Sequence, residues 1–150
     1  MITFQCERWA DCVEEMRPLW EEHFAELALN QDRVSLRCDE DKFAQGDAAG
    51  CLHIVTVRSD RLLVGYYYGI LMHHLHYRDS GLMCYTDAYF IRPEFRRGIT
   101  GVRFLAVIKR SLRDRGVVKL YMTTKVHQNH GELFARMGGI HSDDLYTWML

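Results

Sequence analysis

Residues Tyr89–Gly101 read Tyr-Phe-Ile-Arg-Pro-Glu-Phe-Arg-Arg-Gly-Ile-Thr-Gly, an apolar strand that stops at Pro93 and a basic, glycine-containing loop that leads into a helix. Proline ends a strand because it has no amide hydrogen, and glycine permits positive φ angles. The first turn of the helix has unpaired N–H groups that face the loop. The segment therefore predicts a binding site for an anion, and phosphate is the expected ligand.

The patterns on either side of this segment predict an α/β (α+β) fold. Apolar residues at helical spacing indicate an amphipathic first helix over Trp9–Leu27, interrupted or kinked near Pro18, with an acidic outer face. After a short first strand and this helix, the predicted strands are Leu52–Arg58, Leu62–Tyr77, Met83–Ile91, Val117–Thr124 and Leu145–Leu150. Helices are predicted from Gly101 to about Gly116 and over His130–Met137. The result is a mixed, mostly antiparallel sheet with a central βαβ unit and flanking helices.

The composition is that of an ordinary globular protein. The 150 residues are 48% hydrophobic and 26% charged, which predicts one domain over residues 1–150. No apolar run approaches the ~20 residues of a membrane span, and the start has no signal-peptide pattern, so we expect a cytoplasmic protein. A formal net charge of −1 predicts no general attraction to nucleic acid or membranes. Five cysteines without a Cys-x-x-Cys pair favour reduced thiols.

The strand and loop resemble the acetyl-coenzyme A signature of the GNAT N-acetyltransferase superfamily, in which Val-x-Pro-Glu-Tyr-Arg leads into a glycine-containing loop. Ile91, Pro93 and Gly101 fall in register with that signature, whereas the earlier glycine comes one residue early, at Gly98. The sequence Arg-Arg-Gly-Ile-Thr-Gly is similar to that of small GNAT proteins of tailed phages and prophages. The order of the predicted elements is also that of the GNAT fold. The resemblance implies acetyl-CoA as co-substrate and a chemistry that needs no metal.

The resemblance also assigns the residues that bind the cofactor. Pantetheine is expected to pair with main-chain groups of Ile91 and Arg92, where the fourth and fifth strands separate. Pyrophosphate is expected on the amides of Arg96–Gly101, at the positive end of the helix. The expected contacts are Ile91, Arg92, Arg96, Arg97, Gly98, Ile99, Thr100 and Gly101.

Asp87 and His127 are the candidate catalytic residues. An amine must be neutral to attack a thioester, so either a positioned base removes its proton or the amine arrives deprotonated in a desolvated site. Asp87 stands four residues before Ile91, where several GNAT enzymes have a glutamate, and strand alternation would place it on one face with Tyr85 and Tyr89. Alternatively, Asp87 only hydrogen-bonds a neighbouring tyrosine or arginine. His127 stands where the family pattern has an asparagine. In that position His127 would contact pantetheine or transfer a proton; alternatively, it only caps the helix.

Two further positions affect the chemistry. Phe134 stands where the family commonly has a tyrosine that protonates the departing thiolate. Because a phenyl ring has no proton to donate, the donor would be Tyr89, Tyr146, a water molecule or the solvent. His74 and His76 share a strand face but have no third ligand at a suitable spacing, so we expect no metal site.

Two functions remain open from the sequence. The first is direct transfer of an acetyl group from acetyl-CoA to a primary amine of a small molecule or protein; the acidic first helix and Tyr66–Tyr68 are candidates to contact a cationic acceptor. The second is a non-catalytic binding or regulatory protein with the GNAT fold, for which a phage is one candidate source. Such a protein would still bind CoA, or would bind only a protein partner. Phe134 and the early glycine favour the second. A homodimer through the terminal strand is compatible with either.

Overall fold

The computed structural model describes all residues from Met1 to Leu150 and contains five strands and four α-helices. In chain order they are β1 (Ile2–Cys6), α1 (Trp9–Leu27), α2 (Glu40–Ala48), β2 (Leu52–Ser59), β3 (Leu62–His73), β4 (Leu82–Ile91), α3 (Thr100–Asp114), β5 (Val117–Tyr121) and α4 (Gly131–Arg136). Short 3-10 turns at Arg78–Ser80 and Pro93–Phe95 precede and follow β4. None of the helices combines the length and apolar composition that crossing a membrane requires.

The strands form one sheet in the order β1-β2-β3-β4-β5. The first four are antiparallel neighbours, and β5 is parallel to β4. The predicted antiparallel meander followed by a βαβ unit is therefore confirmed. Asp60 and Arg61 join β2 to β3 with φ angles of 48° and 78°, the left-handed pair that a two-residue hairpin turn requires.

Helices cover both faces of the sheet, and strand alternation distributes the core between them. Tyr66 and Tyr68 point to the face covered by α1 and α2, whereas Tyr67 points to the face covered by α3. All three are at most 2% exposed, so this tyrosine triplet packs in the core. On α3, four buried residues form the apolar face: Phe104, Leu105, Ile108 and Leu112. Val102, near the start of the helix, is more exposed.

Four local predictions need correction. Helix α1 is not interrupted: it continues through Pro18, and Met16 and Leu19 pack in the core on both sides of the proline. β3 ends at His73, and β5 ends at Tyr121. The segment Leu145–Leu150 forms no strand, and Leu145, Tyr146 and Trp148 are more than 70% exposed. The segment does not pair with the outer edge of β5, whose one neighbour in the sheet is β4.

Helix α2 has no counterpart among the predicted elements. It has no buried residue and only a weak amphipathic pattern, which explains why periodicity did not reveal it. Its start is stabilised by Asp39, whose side chain accepts a hydrogen bond of 3.1 Å from the Lys42 amide.

Candidate active site

Strands β4 and β5 separate at one end of the sheet. Their parallel pairing runs from Leu82 and Val117 to Tyr85 and Tyr121 and stops there. Strand β4 nevertheless continues to Ile91, so its second half has no strand on that side. The divergence that the resemblance implies is therefore present, and it leaves a cleft between β4 and the segment after β5.

A cavity of about 180 Å³ lies in this cleft. Most of its wall is apolar, and its polar side chains come from Arg96, Gln128 and His130. The apolar lining residues are Leu27, Tyr89, Phe90, Ile91, Phe104, Leu105, Ile108, Met122, Leu133 and Phe134. Cavities of this kind bind ligands that are largely apolar and carry a few groups able to form hydrogen bonds.

The loop Arg96–Gly101, here called the phosphate loop, opens helix α3 beside the cavity. Gly98 has a φ angle of 64°, and a Cβ there would meet no atom within 4 Å, so glycine is required for backbone conformation and not for space. Several amides of the loop and of the first helical turn have no acceptor in the chain. They belong to Arg97, Gly98, Ile99, Gly101 and Val102. With the positive end of α3, these N–H groups make a site for an oxyanion.

Arg92 is engaged away from the loop. Its guanidinium binds both carboxylate oxygens of Glu22, at 2.8 Å and 2.6 Å. Its amide donates to the Val64 carbonyl at 2.8 Å, so that N–H group belongs to the sheet. The Arg92 guanidinium lowers the pKa of Glu22 by hydrogen bonding.

Arg96 is engaged in the same way. It donates to both carboxylate oxygens of Glu26, at 2.6 Å and 2.7 Å, and from Nε to the Ile91 carbonyl at 2.6 Å. Hydrogen bonding to Arg96 lowers the pKa of Glu26. Glu22 and Glu26 on the acidic face of α1 therefore hold Arg92 and Arg96 in place before the phosphate loop. Arg97 is the exposed arginine of this loop.

Asp87 lies in a β-bulge of β4. Tyr68 pairs with Ala88 and Gly69 pairs with Thr86, so Asp87 is an extra residue without a partner on β3. The bulge breaks the strict alternation assumed from the sequence, and Asp87 does not share a face with Tyr89 and Ile91. Its charge instead raises the pKa values of Cys38 and Tyr66, which places it on the face covered by α1 and α2.

The Asp87 carboxylate makes no hydrogen bond, so the alternative in which it pairs with a tyrosine or arginine does not occur. Asp87 is exposed, but the surrounding protein atoms still remove part of the hydration of its carboxylate. This loss of hydration raises the pKa of Asp87. A carboxylate that is unpaired and more basic than usual is suited to accept a proton.

The histidine beside the cavity is His130 and not His127. His127 is exposed and does not line the cavity. His130 Nδ1 lies 3.1 Å from the Tyr89 hydroxyl, which donates to the Thr123 carbonyl at 3.1 Å. Burial lowers the pKa of His130, so the ring is neutral at pH 7. Tyr89 also meets Phe134 edge-on, with the ring centres 6.1 Å apart.

Gln128 is a second cavity residue that the sequence did not reveal. Its Nε2 donates to Glu26 Oε1 at 2.8 Å, whereas its Oε1 is buried and has no hydrogen-bond partner. Gln128 and His130 lie between His127 and Phe134, in the stretch that resembles the family pattern, but that resemblance assigned a role to neither of them. No group of three or more His, Cys, Asp or Glu side chains is placed to hold a metal ion.

No protein-family model matches the chain, and no curated protein matches its sequence. Solved structures do match over nearly its whole length. A ribosomal-protein-alanine N-acetyltransferase from Brucella melitensis superimposes with a TM-score of 0.71 at 14% identity, covering 100% of this chain and 99% of that one. An aminoglycoside acetyltransferase from an uncultured soil metagenomic sample, in complex with sisomicin, gives 0.75 at 10% identity, with 99% and 96% covered.

A protein described as a predicted acetyltransferase, from Clostridium acetobutylicum and bound to acetyl-CoA, gives a TM-score of 0.71 at 9% identity, with 99% and 96% covered. All three structures share the curled mixed sheet and the flanking helices. At these identities the similarity concerns architecture. The chain has the fold of the GNAT acetyltransferases.

Proposed function

We propose that this protein is an N-acetyltransferase that binds acetyl-CoA between β4 and β5 and transfers the acetyl group directly to a primary amine. The observation that carries the proposal is the cleft, where an apolar cavity of about 180 Å³ adjoins a loop with unpaired N–H groups. These two features match a pantetheine arm and a pyrophosphate, respectively. The fold shared with acetyltransferases supports the same assignment.

The residues present fit this co-substrate. The amides of Gly98, Ile99 and Gly101 would bind the pyrophosphate, with the exposed Arg97 guanidinium beside them. The Ile91 carbonyl already accepts from Arg96, but a carbonyl oxygen has two lone pairs and retains one for a pantetheine N–H. Bound acetyl-CoA supplies the thioester whose acyl carbon the amine attacks.

The chain supplies the proton transfers. Asp87 is not part of the cavity wall, so the amine would approach β4 from the face covered by α1 and α2, and Asp87 would take its proton as the new C–N bond forms. The C–S bond breaks, and the Tyr89 hydroxyl donates a proton to the sulfur. Tyr89 thereby takes the role of the family's tyrosine, which is Phe134 in this chain. Tyr89 recovers its proton through neutral His130 or solvent. A thiol pKa near 8.5 makes the thiolate a fair leaving group, so this step needs only modest assistance.

The acceptor is proposed as an amine, either a small molecule or a protein. The soil metagenomic protein binds sisomicin, and the Brucella protein is named for a ribosomal-protein alanine, so both classes belong in the test. Phe134 and the displaced Gly98 favour the alternative, a non-catalytic protein that keeps only the binding site. A homodimer, a cytoplasmic location and the resemblance to phage proteins stay predictions.

The test is amine-dependent consumption of acetyl-CoA, with the acetylated product identified by mass spectrometry. The panel contains aminoglycosides, polyamines and peptides with an N-terminal alanine. Thioester absorbance is preferable to a thiol-reactive dye, because Cys6 and Cys51 are exposed and would react with the dye. Acetylation of one amine class above the rate without amine is expected. Binding of acetyl-CoA without turnover on any amine would establish the non-catalytic alternative.

A further inference from the structure

One buried oxygen in the cleft lacks a partner. Gln128 Oε1 is the only buried side-chain nitrogen or oxygen of the chain that makes no hydrogen bond. Buried polar atoms are almost always paired in native proteins, because an unpaired one loses its hydration without compensation. Gln128 Oε1 therefore requires a hydrogen-bond donor from outside the chain. Because Gln128 lines the cavity, a bound ligand can supply it.

The orientation of this amide is fixed by its neighbours. A carboxylate can only accept, so the contact of 2.8 Å to Glu26 must be made by the Gln128 NH2 group. Glu26 is itself held by two hydrogen bonds from Arg96, at 2.6 Å and 2.7 Å. The carbonyl end of Gln128 is consequently turned away from Glu26 and cannot exchange places with the NH2 group.

The neighbouring polar groups of the cavity are mostly engaged. Arg96 directs its donors to Glu26 and to the Ile91 carbonyl. His130 Nδ1 faces the Tyr89 hydroxyl, which leaves Nε2 of that half-buried ring as a second acceptor. Gln128 Oε1 is nevertheless the one buried side-chain acceptor without a partner, and in a mostly apolar wall it favours a ligand that carries an N–H group between apolar segments.

We propose that Gln128 Oε1 accepts a hydrogen bond from an amide N–H of the pantetheine arm and thereby positions that arm in the cavity. The inference rests on the proposed function and adds to it a positioning residue outside the glycine loop. Pantetheine has two secondary amides separated by methylene groups, which matches one acceptor in an apolar wall. Adenosine diphosphate has the pyrophosphate but no such amide, so Gln128 should not affect its binding.

Calorimetric titration of Gln128→Met with acetyl-CoA and with adenosine diphosphate tests this inference. Methionine keeps the length of the side chain and removes both the acceptor and the contact to Glu26. We expect acetyl-CoA to bind about 5- to 30-fold more weakly, the loss typical of one hydrogen bond, and adenosine diphosphate to bind unchanged. Gln45→Met, the same change at an exposed residue of α2 whose side chain makes no hydrogen bond, serves as the matched control and should bind both ligands like the wild type.

The unfolding temperature without ligand separates positioning from a structural role. Removing the unpaired acceptor raises stability and removing the hydrogen bond to Glu26 lowers it, so the unfolding temperature should change little. A purely structural glutamine would instead lose stability and weaken both ligands alike. Equal acetyl-CoA affinity in Gln128→Met and the wild type would mean that water satisfies Oε1, and would overturn the inference. If the wild type itself did not bind acetyl-CoA, the proposed function would fail first, and the two failures are therefore distinguishable.

Discussion

Mild acid should destabilise the fold through a buried histidine on β2. His53 is 4% exposed, and its Nδ1 faces an Arg115 guanidinium nitrogen at 3.2 Å. Because the guanidinium can only donate, Nδ1 must accept, and Nε2 carries the hydrogen that is directed to Ser111 Oγ at 2.8 Å. Protonation would add a second donor facing Arg115. Burial and then the charge of Arg115 lower the pKa of His53 to about 4.

The sign and size of the effect follow from linkage. The unfolded chain binds a proton at His53 below pH ~6.5 and the folded chain does so only near pH 4, so stability present at neutral pH is lost as the pH falls between those values. Between pH 7 and pH 5 the loss in the free energy of unfolding is about 2 kcal/mol. Half-buried His23, whose pKa is also lowered to about 4 by loss of hydration, should add to this loss.

Urea unfolding at pH 7 and pH 5 measures this loss. In His53→Gln the amide can still accept from Arg115 and donate to Ser111 but does not titrate, so its difference between the two pH values should be about 2 kcal/mol smaller than in the wild type. His76→Gln, a change at an exposed loop residue, should behave like the wild type. An unchanged pH dependence in His53→Gln would refute the reasoning.

Three further predictions concern the site and the sheet. Asp87→Asn should lower kcat by about 10²- to 10⁴-fold without lowering the unfolding temperature. The variant should also lose the wild-type decrease in activity as the pH falls through the raised pKa of Asp87. Asp79→Asn, a change at an exposed residue, should alter neither kcat nor the pH profile. Tyr89→Phe should lower kcat while KM for acetyl-CoA stays constant; a larger KM with normal kcat would argue against proton donation. Gly69→Ala should destabilise by about 1–3 kcal/mol in urea, because its Cβ would lie 2.5 Å from Cys84 Sγ.

Local rules were sufficient to predict the framework of the fold. Pro93 ends β4, Gly98 permits the turn, and the apolar spacing after Gly101 defines α3, so each boundary depends on a property of its own residues. The strand-loop-helix-strand order then predicts a parallel strand pair, because a helical crossover returns the chain in the same direction. The loop Arg96–Gly101 lies at the start of α3, as these local signals predicted.

The details of the site depend on contacts between distant parts of the chain. A one-residue bulge turned Asp87 to the other face, and nothing in the alternation of β4 records it. Arg96 was expected at a phosphate, but Glu26, 70 residues away in sequence, binds it. Gln128 joins the same network across 102 residues. Such pairings are set by packing of α1 against the end of the sheet, which no local pattern encodes.

The most direct test is thermal unfolding of the wild-type protein with and without acetyl-CoA. If the cleft binds acetyl-CoA, ligand at ~100 times its dissociation constant should stabilise the fold by about 2.7 kcal/mol. For a domain of this size the unfolding temperature should then rise by several degrees. Adenosine without pantetheine should produce a smaller rise. An unfolding temperature that does not move with saturating acetyl-CoA would contradict the account, because the cavity and the free amides of the phosphate loop would then serve another ligand.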